Sequence, residues 1–491
     1  MKWFVVLGMA FLALFMGLAT AFAGPIVLVA FLPLAMVIGL VFDYRIAVVF
    51  LALAISLSSS ALLPQAQGLN PISYAIFGAF LVLVIKNAFK SVPTVWPPLD
   101  IALILMVPIV FGALLAVPHL GVARQNMGAR EFASTYETFP FLKQYILRPF
   151  YFLMFAFLVA NAVKESKRPE RFVFLFSVAA LVPSAVVFLA VALAGANLEV
   201  LQSQRGFLSG FGLHSNEFGK LLAFAFGPLL FAAFASKGIA RTWFVFALTI
   251  LLAAIIFTFT RAAYISVFIT VVIFLWQRKQ VGLILGAVSL VVVLAVAAPK
   301  AVVDRVTTGT DSASISATKT GEANDKLTAG RIAGNLMLFP EVLKSPIWGS
   351  GTGSTAWSYA VSKGLYLPSH PHNMYLALLM DVGLLGFCVA LYFYYRFGKA
   401  LRALAQTETV PSLLRAFFGG AWASLVGMMF MALSGGQWVP HPEQSFLWLT
   451  FGITLAYWSE VAVNRKKRGE GRRYAWGIKP MNLASETRTF R

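Results

Sequence analysis

The chain has 491 residues, of which 59% are hydrophobic and only 12% are charged. A soluble globular protein contains about 25% charged residues, so this composition excludes that class and indicates a membrane protein. The single cysteine excludes a disulfide framework or a cysteine metal cluster, and the net charge of +20 has to be placed on a membrane topology before it can indicate a partner.

Apolar runs of membrane-spanning length recur along the whole chain. A hydrocarbon core of about 30 Å needs roughly 20 apolar residues per helix. We therefore predict an all-α polytopic membrane helix bundle with 12–14 transmembrane helices. The runs are 3–20, 25–42, 46–63, 72–85, 99–117, 145–163, 172–194, 218–235, 242–258, 262–276, 281–298, 373–395, 413–433 and 443–463.

The first run has a second interpretation as a cleaved signal peptide. Lys2 precedes it, and it is followed by Ala21-Phe22-Ala23, which resembles a cleavage site. A second apolar run follows at once, however, and this favours a retained helical hairpin.

The basic residues orient the predicted bundle. With both termini in the cytoplasm and alternation through fourteen spans, 25 of the 39 basic residues but only 8 of the 19 acidic residues fall on the cytoplasmic side. Membrane proteins carry such an excess of Lys and Arg in their cytoplasmic loops. The charge therefore indicates topology, with no nucleic acid partner, and the basic tail 464–491 is expected to contact anionic membrane lipids.

Three outer segments are long enough to form a site, namely 118–144, 195–217 and 299–372. In the longest, residues 304–328 are rich in Ser, Thr, Ala, Gly and charge and are predicted to be flexible. Residues 331–345 have apolar side chains at helical spacing, which predicts an amphipathic helix on the membrane surface. Those side chains are Ile332, Leu336, Phe339 and Leu343.

Three arginines are candidate anion ligands. Arg261 lies between two apolar runs without a loop, where an arginine either faces a polar cavity or reaches to the lipid headgroups. Arg205 lies in a glycine-rich outer segment, and Arg331 opens the amphipathic helix. Guanidinium groups bind phosphate through paired hydrogen bonds, so converging arginines suit a diphosphate, although each could also be a solvated loop charge.

The segment that leads into the run 373–395 contains the candidate acid–base residue. His372 is expected at the cavity mouth, where it could donate a hydrogen bond to phosphate or transfer a proton. Asn373 is a natural helix N-cap. Asp381 lies nine residues beyond His372 on the opposite helix face, which favours a buried structural hydrogen bond over catalysis. His370 and His441 are weaker candidates.

The segment 348–354 is rich in glycine but lacks the ending of a phosphate-binding P-loop. It is interpreted as a turn that permits close backbone approach. The sequence also contains neither an Asp-x-Asp pair nor a His-Glu-x-x-His motif, and this disfavours a metal-dependent enzyme that uses nucleotide sugars, as well as a zinc protease.

The order of these features resembles the O-antigen ligase and O-antigen/exopolysaccharide polymerase superfamily of bacterial inner membranes. The stretch that carries the resemblance runs from about residue 200 to 390, and its motifs are Arg205, Thr258-Phe-Thr-Arg261-Ala-Ala, Gly330-Arg331, Ser345-Pro-Ile-Trp-Gly349-Ser-Gly351, His372-Asn373-Met-Tyr375-Leu and Asp381-Val-Gly383-Leu-Leu-Gly386. Two positions depart from the pattern: Asp381 stands where relatives often have Glu, and Thr260 stands where Ser is common.

The resemblance implies a GT-C-like fold with a periplasmic active site and no cofactor or metal. Its members transfer a glycan from an undecaprenyl-diphosphate carrier to an acceptor, either another glycan or lipid A-core. Carried over by position, Arg205, Arg261 and Arg331 would bind the diphosphate. His372 would act catalytically with Arg261, and Asn373 and Asp381 would support the site. The chain would divide into spans 1–195, a core 196–397, spans 398–463 and the tail 464–491.

Several functional alternatives stay open. The acceptor could make the protein a polymerase, a ligase or a protein O-glycosylating enzyme, and no residue separates these. A polysaccharide transporter or lipid flippase is the alternative from another class. It would have charges distributed along several spans and broken helices in matching halves, whereas here the charges gather at the outer ends of the spans.

Overall fold

The computed structural model of this chain describes residues 43–58, 71–89, 99–128, 133–195, 214–280, 331–366 and 368–459, together with positions 60, 208, 211, 212 and 282. Several predictions lie outside these residues. They are the runs 3–20, 25–42 and 281–298, the flexible stretch 304–328, the basic tail 464–491, and the candidate ligand Arg205.

The regular elements in the described ranges are helices, and no strand occurs among them. This confirms the all-α class. The α-helices are α1 Tyr44–Ala54, α2 Pro71–Phe89, α3 Leu99–Ala116, α4 Leu120–Met127, α5 Thr138–Leu142, α6 Arg148–Lys164, α7 Arg171–Leu193, α8 Ser215–Ala235, α9 Gly238–Phe257, α10 Arg261–Gln277, α11 Arg331–Lys344, α12 Tyr359–Ser362, α13 Met374–Leu404, α14 Ser412–Met431 and α15 Ser445–Ala456.

Seven helical stretches in the described part are long and apolar enough to cross a membrane, and they confirm a polytopic bundle. These stretches are Ile104–Met127, Thr138–Lys164, Arg171–Leu193, Ser215–Ala235, Gly238–Phe257, Met374–Leu404 and Ser412–Ser434. Two of them extend into the predicted outer loop 118–144, because α4 and α5 continue the spans as helix. Beyond the hydrocarbon a helix no longer needs apolar side chains, so hydropathy alone underestimates its length.

Helices α8 and α14 pack through small residues. A Cβ atom at Gly420 would lie 2.2 Å from the carbonyl oxygen of Gly227, so the two backbones touch. The backbone N–H of Gly227 donates to Ser424 Oγ at 3.0 Å, a bond between helices beside the helix proline Pro228. Close approach of small residues is a main source of helix association in lipid, where no hydrophobic force draws helices together.

Helix α13 is kinked at Gly383, and a loop fills the kink. Gly383 has φ +64 and ψ −171, so the helical hydrogen bonds are interrupted there. The freed N–H of Leu384 donates to the carbonyl of Pro346 at 2.8 Å, and that of Leu385 donates to Ile347 at 3.2 Å. Irregular backbone is tolerated at membrane depth only where the protein satisfies its polar groups, and this loop meets that condition.

Residues 350–352 of this loop also form backbone hydrogen bonds, with α13 and α3, and the glycines of the loop permit this close approach. Ser350 and Gly351 donate to the carbonyls of Met380 and Asp381, while Thr352 donates to Gly112 of α3. A Cβ at Gly349 would lie 2.4 Å from the nitrogen of Val382. The glycine-rich segment therefore serves as the close-approach turn that the sequence indicated.

The amphipathic helix predicted at 331–345 is present as α11, Arg331–Lys344. Leu338 and Val342 are buried against the protein. The four apolar positions named from the sequence lie instead on the exposed face, and Leu336 is 69% exposed. Trp348, which follows the helix, packs against Phe111 of α3 with ring centroids 6.0 Å apart. This is the arrangement expected of a helix at a membrane surface.

Consecutive spans run in opposite directions, so the segments that connect them lie at two opposite ends of the bundle. One end, called the loop end below, holds residues 331–372, the starts of α8, α10 and α13, and residues 435–444. The opposite end holds the connections after α6, α8, α10 and α13. Its described basic residues include Lys164, Lys167, Arg168, Arg171, Lys237, Arg241, Arg278, Lys279, Arg396, Lys399, Arg402 and Arg415.

Candidate active site

His372 lies directly before α13 in a backbone conformation that is unusual for its residue type. Its φ is +52, in the left-handed region, and Asn373 follows as the N-cap of α13. The Asn373 Oδ1 accepts from the backbone N–H of Tyr375 at 3.0 Å and of Leu376 at 3.3 Å, as the capping interpretation requires. Such strain persists where the surroundings enforce it, and it is typical of functional sites.

His370 and His372 form a pair of imidazoles with ring centroids 4.1 Å apart. Burial, reinforced by His370, Arg331 and Lys220, lowers the pKa of His372 to about 2. Burial and the charge of Lys220 lower the pKa of His370 to about 4. Both rings are therefore neutral near pH 7, and they can donate or accept hydrogen bonds without carrying charge.

Arg331 is held near this pair by the packing of α11. A Cβ at Gly334, one turn along that helix, would lie 2.8 Å from the Tyr366 ring, so Tyr366 packs directly on the helix. The Tyr366 hydroxyl donates to the carbonyl of His370 at 3.0 Å. One buried tyrosine therefore joins the first turn of α11 to the histidine segment.

Arg261 begins α10 beside the start of α8. Thr260 Oγ1 donates to the carbonyl of Ser215 at 3.2 Å, and a Cβ at Gly219 would lie 2.5 Å from the Thr260 side chain. Phe259, just before it, has φ +49. The α9–α10 turn is therefore strained and fixed against α8, and it brings Arg261 to the loop end, where His372 and Arg331 also lie.

The structure adds an ion pair that the sequence analysis missed. Lys220 Nζ lies 3.0 Å from Glu443 Oε2, and their side chains are only 15% and 4% exposed. Glu443 Oε1 accepts from the backbone N–H of Gln437 at 2.9 Å. Burial raises the pKa of Glu443, but Lys220, His441 and this N–H outweigh it and hold the pKa below its usual value.

The ion pair borders a cavity next to the His372 segment. Gly435 and Gly436 form part of its wall, with φ near +135 and +139. A Cβ at Gly435 would lie 3.7 Å from Lys220 Nζ and 3.8 Å from the carbonyl oxygen of His372. The cavity is small, with enclosed room for about one water molecule, and its remaining lining includes Phe224, Met374, Met428, Met431 and Leu447.

More titratable groups surround the ion pair. One potential ligand atom from each of Glu217, His441 and Glu443 lies within 4.8 Å of the others, and this is the arrangement in the described part that could ligate a metal. Lys220 already binds Glu443, and Arg148 lies within electrostatic range of Glu217 and His441. Two cations formally balance the two carboxylates, so the charges are compensated without a metal.

The Asp381 side chain is buried and accepts hydrogen bonds from other parts of the protein. Its Oδ1 accepts from the N–H groups of Gly353 and Ser354 at 3.0 and 3.1 Å and from Ser354 Oγ at 2.8 Å. Its Oδ2 accepts from Trp438 Nε1 at 2.9 Å. The buried carboxylate thus ties the 349–354 loop to the 435–444 loop, in agreement with the structural interpretation made from the sequence.

Two of the missed residues carried a usable signal. Lys220 and Glu443 stand in or at the edge of apolar runs, where charged residues mark functional sites. Their separation of 223 positions in the sequence hides the contact between them. His214 is a third missed residue: its Nδ1 accepts from the N–H of Asn216 at 3.1 Å, so its proton lies on Nε2.

The central part of this chain is similar to a known family. Residues 245–391 match the family model described as O-antigen ligase. A search of curated proteins found no match to the chain. The matched segment contains Arg261, Arg331 and His372, whereas Lys220 and Glu443 lie outside it on either side.

Lowering the pH from 7 to 5 is expected to destabilise the protein through its partly buried histidines. Burial and nearby cations lower the pKa to about 4 for His370 and about 3 for His441, whereas an unfolded histidine titrates near 6.5. Below pH 6.5 the unfolded chain binds protons that the folded chain excludes, so the free energy of unfolding falls. The loss at pH 5 is about 2 kcal/mol per histidine, since pH 5 lies about 1.5 units below the unfolded pKa and each unit corresponds to about 1.4 kcal/mol.

Thermal unfolding in detergent at the two pH values measures this effect. His370→Gln is expected to reduce the difference between the midpoints at pH 7 and pH 5. An equal difference in the variant and the wild type would contradict a neutral, buried imidazole at this position.

Proposed function

We propose that the protein is a glycosyltransferase that moves a glycan from undecaprenyl diphosphate to an acceptor sugar on the periplasmic side of the bacterial inner membrane. The acceptor is another glycan in polymerisation or lipid A-core in ligation. The observations that carry the proposal are that Arg331 lies within electrostatic range of His372, and that both residues and Arg261 fall within the segment that matches the O-antigen ligase model.

The chemistry of the site suits a diphosphate leaving group. A sugar bonded to a diphosphate already has a good leaving group, so catalysis needs mainly positioning and stabilisation of developing negative charge. Arg261 and Arg331 supply fixed positive charge, and neutral His372 supplies a hydrogen bond. In this proposal, as the resemblance implies, the reaction uses neither metal nor cofactor. Arg205 is assigned to the same diphosphate site by resemblance.

The charge distribution supports the proposed orientation. The end opposite the site carries the run of basic residues between the described spans, as a cytoplasmic face does. The loop end therefore faces the periplasm in this proposal, with both termini in the cytoplasm. The proposed core 196–397 is completed by the 435–444 loop from the C-terminal spans, since that loop supplies Glu443 and Trp438.

Genetic complementation tests the proposal. In a strain that lacks the gene, Arg261→Ala and His372→Ala are expected to reduce surface glycan at least about 100-fold, since removing one charge-stabilising donor costs 10²–10³ in rate. Carrier-linked glycan should accumulate in the same cells. Arg124→Ala is the matched control, because this arginine lies at the loop end but is 62% exposed and pairs only weakly with Glu137 at 3.9 Å.

The products distinguish the acceptors. Loss of the chain-length ladder with single units still attached indicates a polymerase, whereas polymer retained on the carrier indicates a ligase. Wild-type glycan from both variants at normal expression would overturn the proposed site.

A further inference from the structure

Helix α13 is longer than a membrane requires, and its last turns lie outside the hydrocarbon. It has 31 residues, whereas a hydrocarbon core of about 30 Å accommodates roughly 20. The apolar run that begins the helix ends at Tyr395, and Arg396, Lys399 and Arg402 follow. Because charged side chains are costly inside hydrocarbon, residues 396–404 lie at the level of the lipid headgroups. This level belongs to the end of the bundle opposite the candidate active site.

Aromatic and basic side chains are paired on the outer surface of this segment. Tyr392 and Tyr395 are 45% and 60% exposed, and their rings stack with centroids 6.3 Å apart. The guanidinium of Arg396 lies 5.6 Å from the Tyr392 ring centroid, and its Nη1 donates to the Tyr392 hydroxyl at 3.1 Å. Lys399 Nζ lies 5.7 Å from the Tyr395 ring centroid. Each cation therefore lies one helical turn beyond the ring that it contacts.

A third cation extends this surface to the neighbouring helix. The guanidinium of Arg402 lies 5.4 Å from the ring centroid of Trp422 in α14. With 3.6 residues per turn, the positions on α13 fall within an arc of about 120°, and the three cations span about 9 Å along the axis. They form one continuous surface, called the aromatic–basic strip below, which consists of Tyr392, Tyr395, Arg396, Lys399, Arg402 and Trp422.

The chemistry of the aromatic–basic strip is complementary to a lipid phosphate. Residues 392–411 contain three basic residues and one acidic residue, Glu408, so the positive charge is in excess. Contact with an aromatic ring orients a cation without neutralising it, and a group that is already oriented loses less freedom when it binds a ligand. Tyrosine is enriched at the headgroup level of membranes, and clusters of Lys and Arg at that level attract anionic lipids.

We propose that the aromatic–basic strip is a binding site for the phosphate headgroup of an anionic phospholipid in the adjacent leaflet. The exposed side chains of Lys399 and Arg402 donate hydrogen bonds to the phosphate oxygens. The rings of Tyr392 and Tyr395 pack against the glycerol and the first methylenes of the acyl chains. Because the strip joins α13 to α14 through Arg402 and Trp422, the bound lipid also contacts both helices.

Native mass spectrometry of the purified full-length protein in detergent tests this site. The protein is titrated with phosphatidylglycerol, which is anionic, and separately with phosphatidylcholine, which carries no net charge. Wild-type protein is expected to bind phosphatidylglycerol at least about tenfold more tightly. The double variant Lys399→Gln, Arg402→Gln is expected to lose about tenfold or more of this affinity, since both cations are removed. Arg396 is left in place because its side chain also bonds to Tyr392.

Two further variants separate the strip from general charge. Lys167→Gln, Arg168→Gln removes the same charge from two exposed residues at the same end of the bundle, in the connection between α6 and α7. Its affinity for phosphatidylglycerol is expected to stay within about twofold of wild type. Tyr395→Leu keeps every charge but removes the ring beneath Lys399, and it is expected to weaken binding about threefold. Thermal unfolding midpoints show whether each variant is folded.

A loss of phosphatidylglycerol binding in Lys399→Gln, Arg402→Gln, with binding retained in the control pair, supports the site. Equal losses in the two double variants would show that any basic residue at this end attracts the lipid, and this would overturn the proposal. Equal affinity of the wild type for the two lipids would overturn it as well. If the wild type is a dimer and Lys399→Gln, Arg402→Gln is a monomer, the strip is an interface between two copies of the chain and the lipid site is wrong.

Discussion

Gly383→Ala is expected to lower the free energy of unfolding by at least about 3 kcal/mol. The φ and ψ of Gly383, +64 and −171, lie in a region that is essentially restricted to glycine. The added Cβ would also lie 2.3 Å from the carbonyl carbon and oxygen of Ile347. These are backbone atoms, so no side chain can rotate away. The loop in the α13 kink has to move, and its bonds to Leu384 and Leu385 are lost.

Two control glycines separate two contributions to the loss of unfolding free energy, namely the unfavourable backbone conformation and the steric clash of the added Cβ. A Cβ at Gly238 meets nothing within 4 Å although φ is +54, so Gly238→Ala reports the conformational cost alone. A Cβ at Gly121 also meets nothing within 4 Å, and Gly121 lies in α4, so Gly121→Ala is expected to be neutral or slightly stabilising.

Thermal unfolding of the purified variants in detergent ranks the stabilities of the three variants. Gly383→Ala should have the lowest midpoint, Gly238→Ala an intermediate one and Gly121→Ala the highest. A Gly383→Ala midpoint equal to that of Gly238→Ala would show that the loop does not fill the kink as described.

The sequence predicted the parts of this architecture that depend on local pattern. Hydropathy located the helices of the described spans, and helical spacing located α11. Both patterns depend only on residues that lie close together in the sequence. Capping by Asn373 was predictable for the same reason, since the bond to Tyr375 spans only two positions. Each of these features needs information from fewer than about 20 consecutive residues.

The features that the sequence did not predict all join distant segments. Lys220 and Glu443 meet across 223 positions, and Asp381 and Trp438 across 57. The kink at Gly383 depends on a loop that precedes it by more than 30 positions. Hydrophobic periodicity places a residue on a helix face, but it does not say which other helix that face contacts. The Glu443 carboxylate was therefore overlooked even though its unusual position in an apolar region was visible.

Asp381 shows how these long-range contacts determine the position of residues in the candidate active site. Its Oδ1 binds Gly353 and Ser354, which follow the loop that leads on from α11 and Arg331. Its Oδ2 binds Trp438, in the loop that carries Glu443. One buried carboxylate therefore fixes two segments that supply residues of the candidate active site, although it lies outside the cavity lining.

Asp381→Ala is expected to lower the free energy of unfolding by at least about 3 kcal/mol, because three N–H donors lose their buried acceptor. The change leaves the donors of Gly353, Ser354 and Trp438 without their acceptor, and each unsatisfied buried donor costs about 1–3 kcal/mol. Glycan transfer is expected to fall together with stability, since the 435–444 loop loses its bond to α13. Thermal unfolding measures the first effect, and surface glycan in the complemented deletion strain measures the second.

Asp381→Asn tests the same arrangement by a smaller change. The asparagine oxygen can still accept from Gly353 and Ser354, but its amide nitrogen then faces the Trp438 Nε1 donor, and two donors repel. Trp438→Phe removes that second donor. The double variant Asp381→Asn, Trp438→Phe is therefore expected to unfold at a higher temperature than Asp381→Asn alone, although Trp438→Phe by itself should destabilise the wild type. Additive losses in this double-mutant cycle would contradict a direct bond between Asp381 and Trp438, and with it the coupling of the two loops through α13.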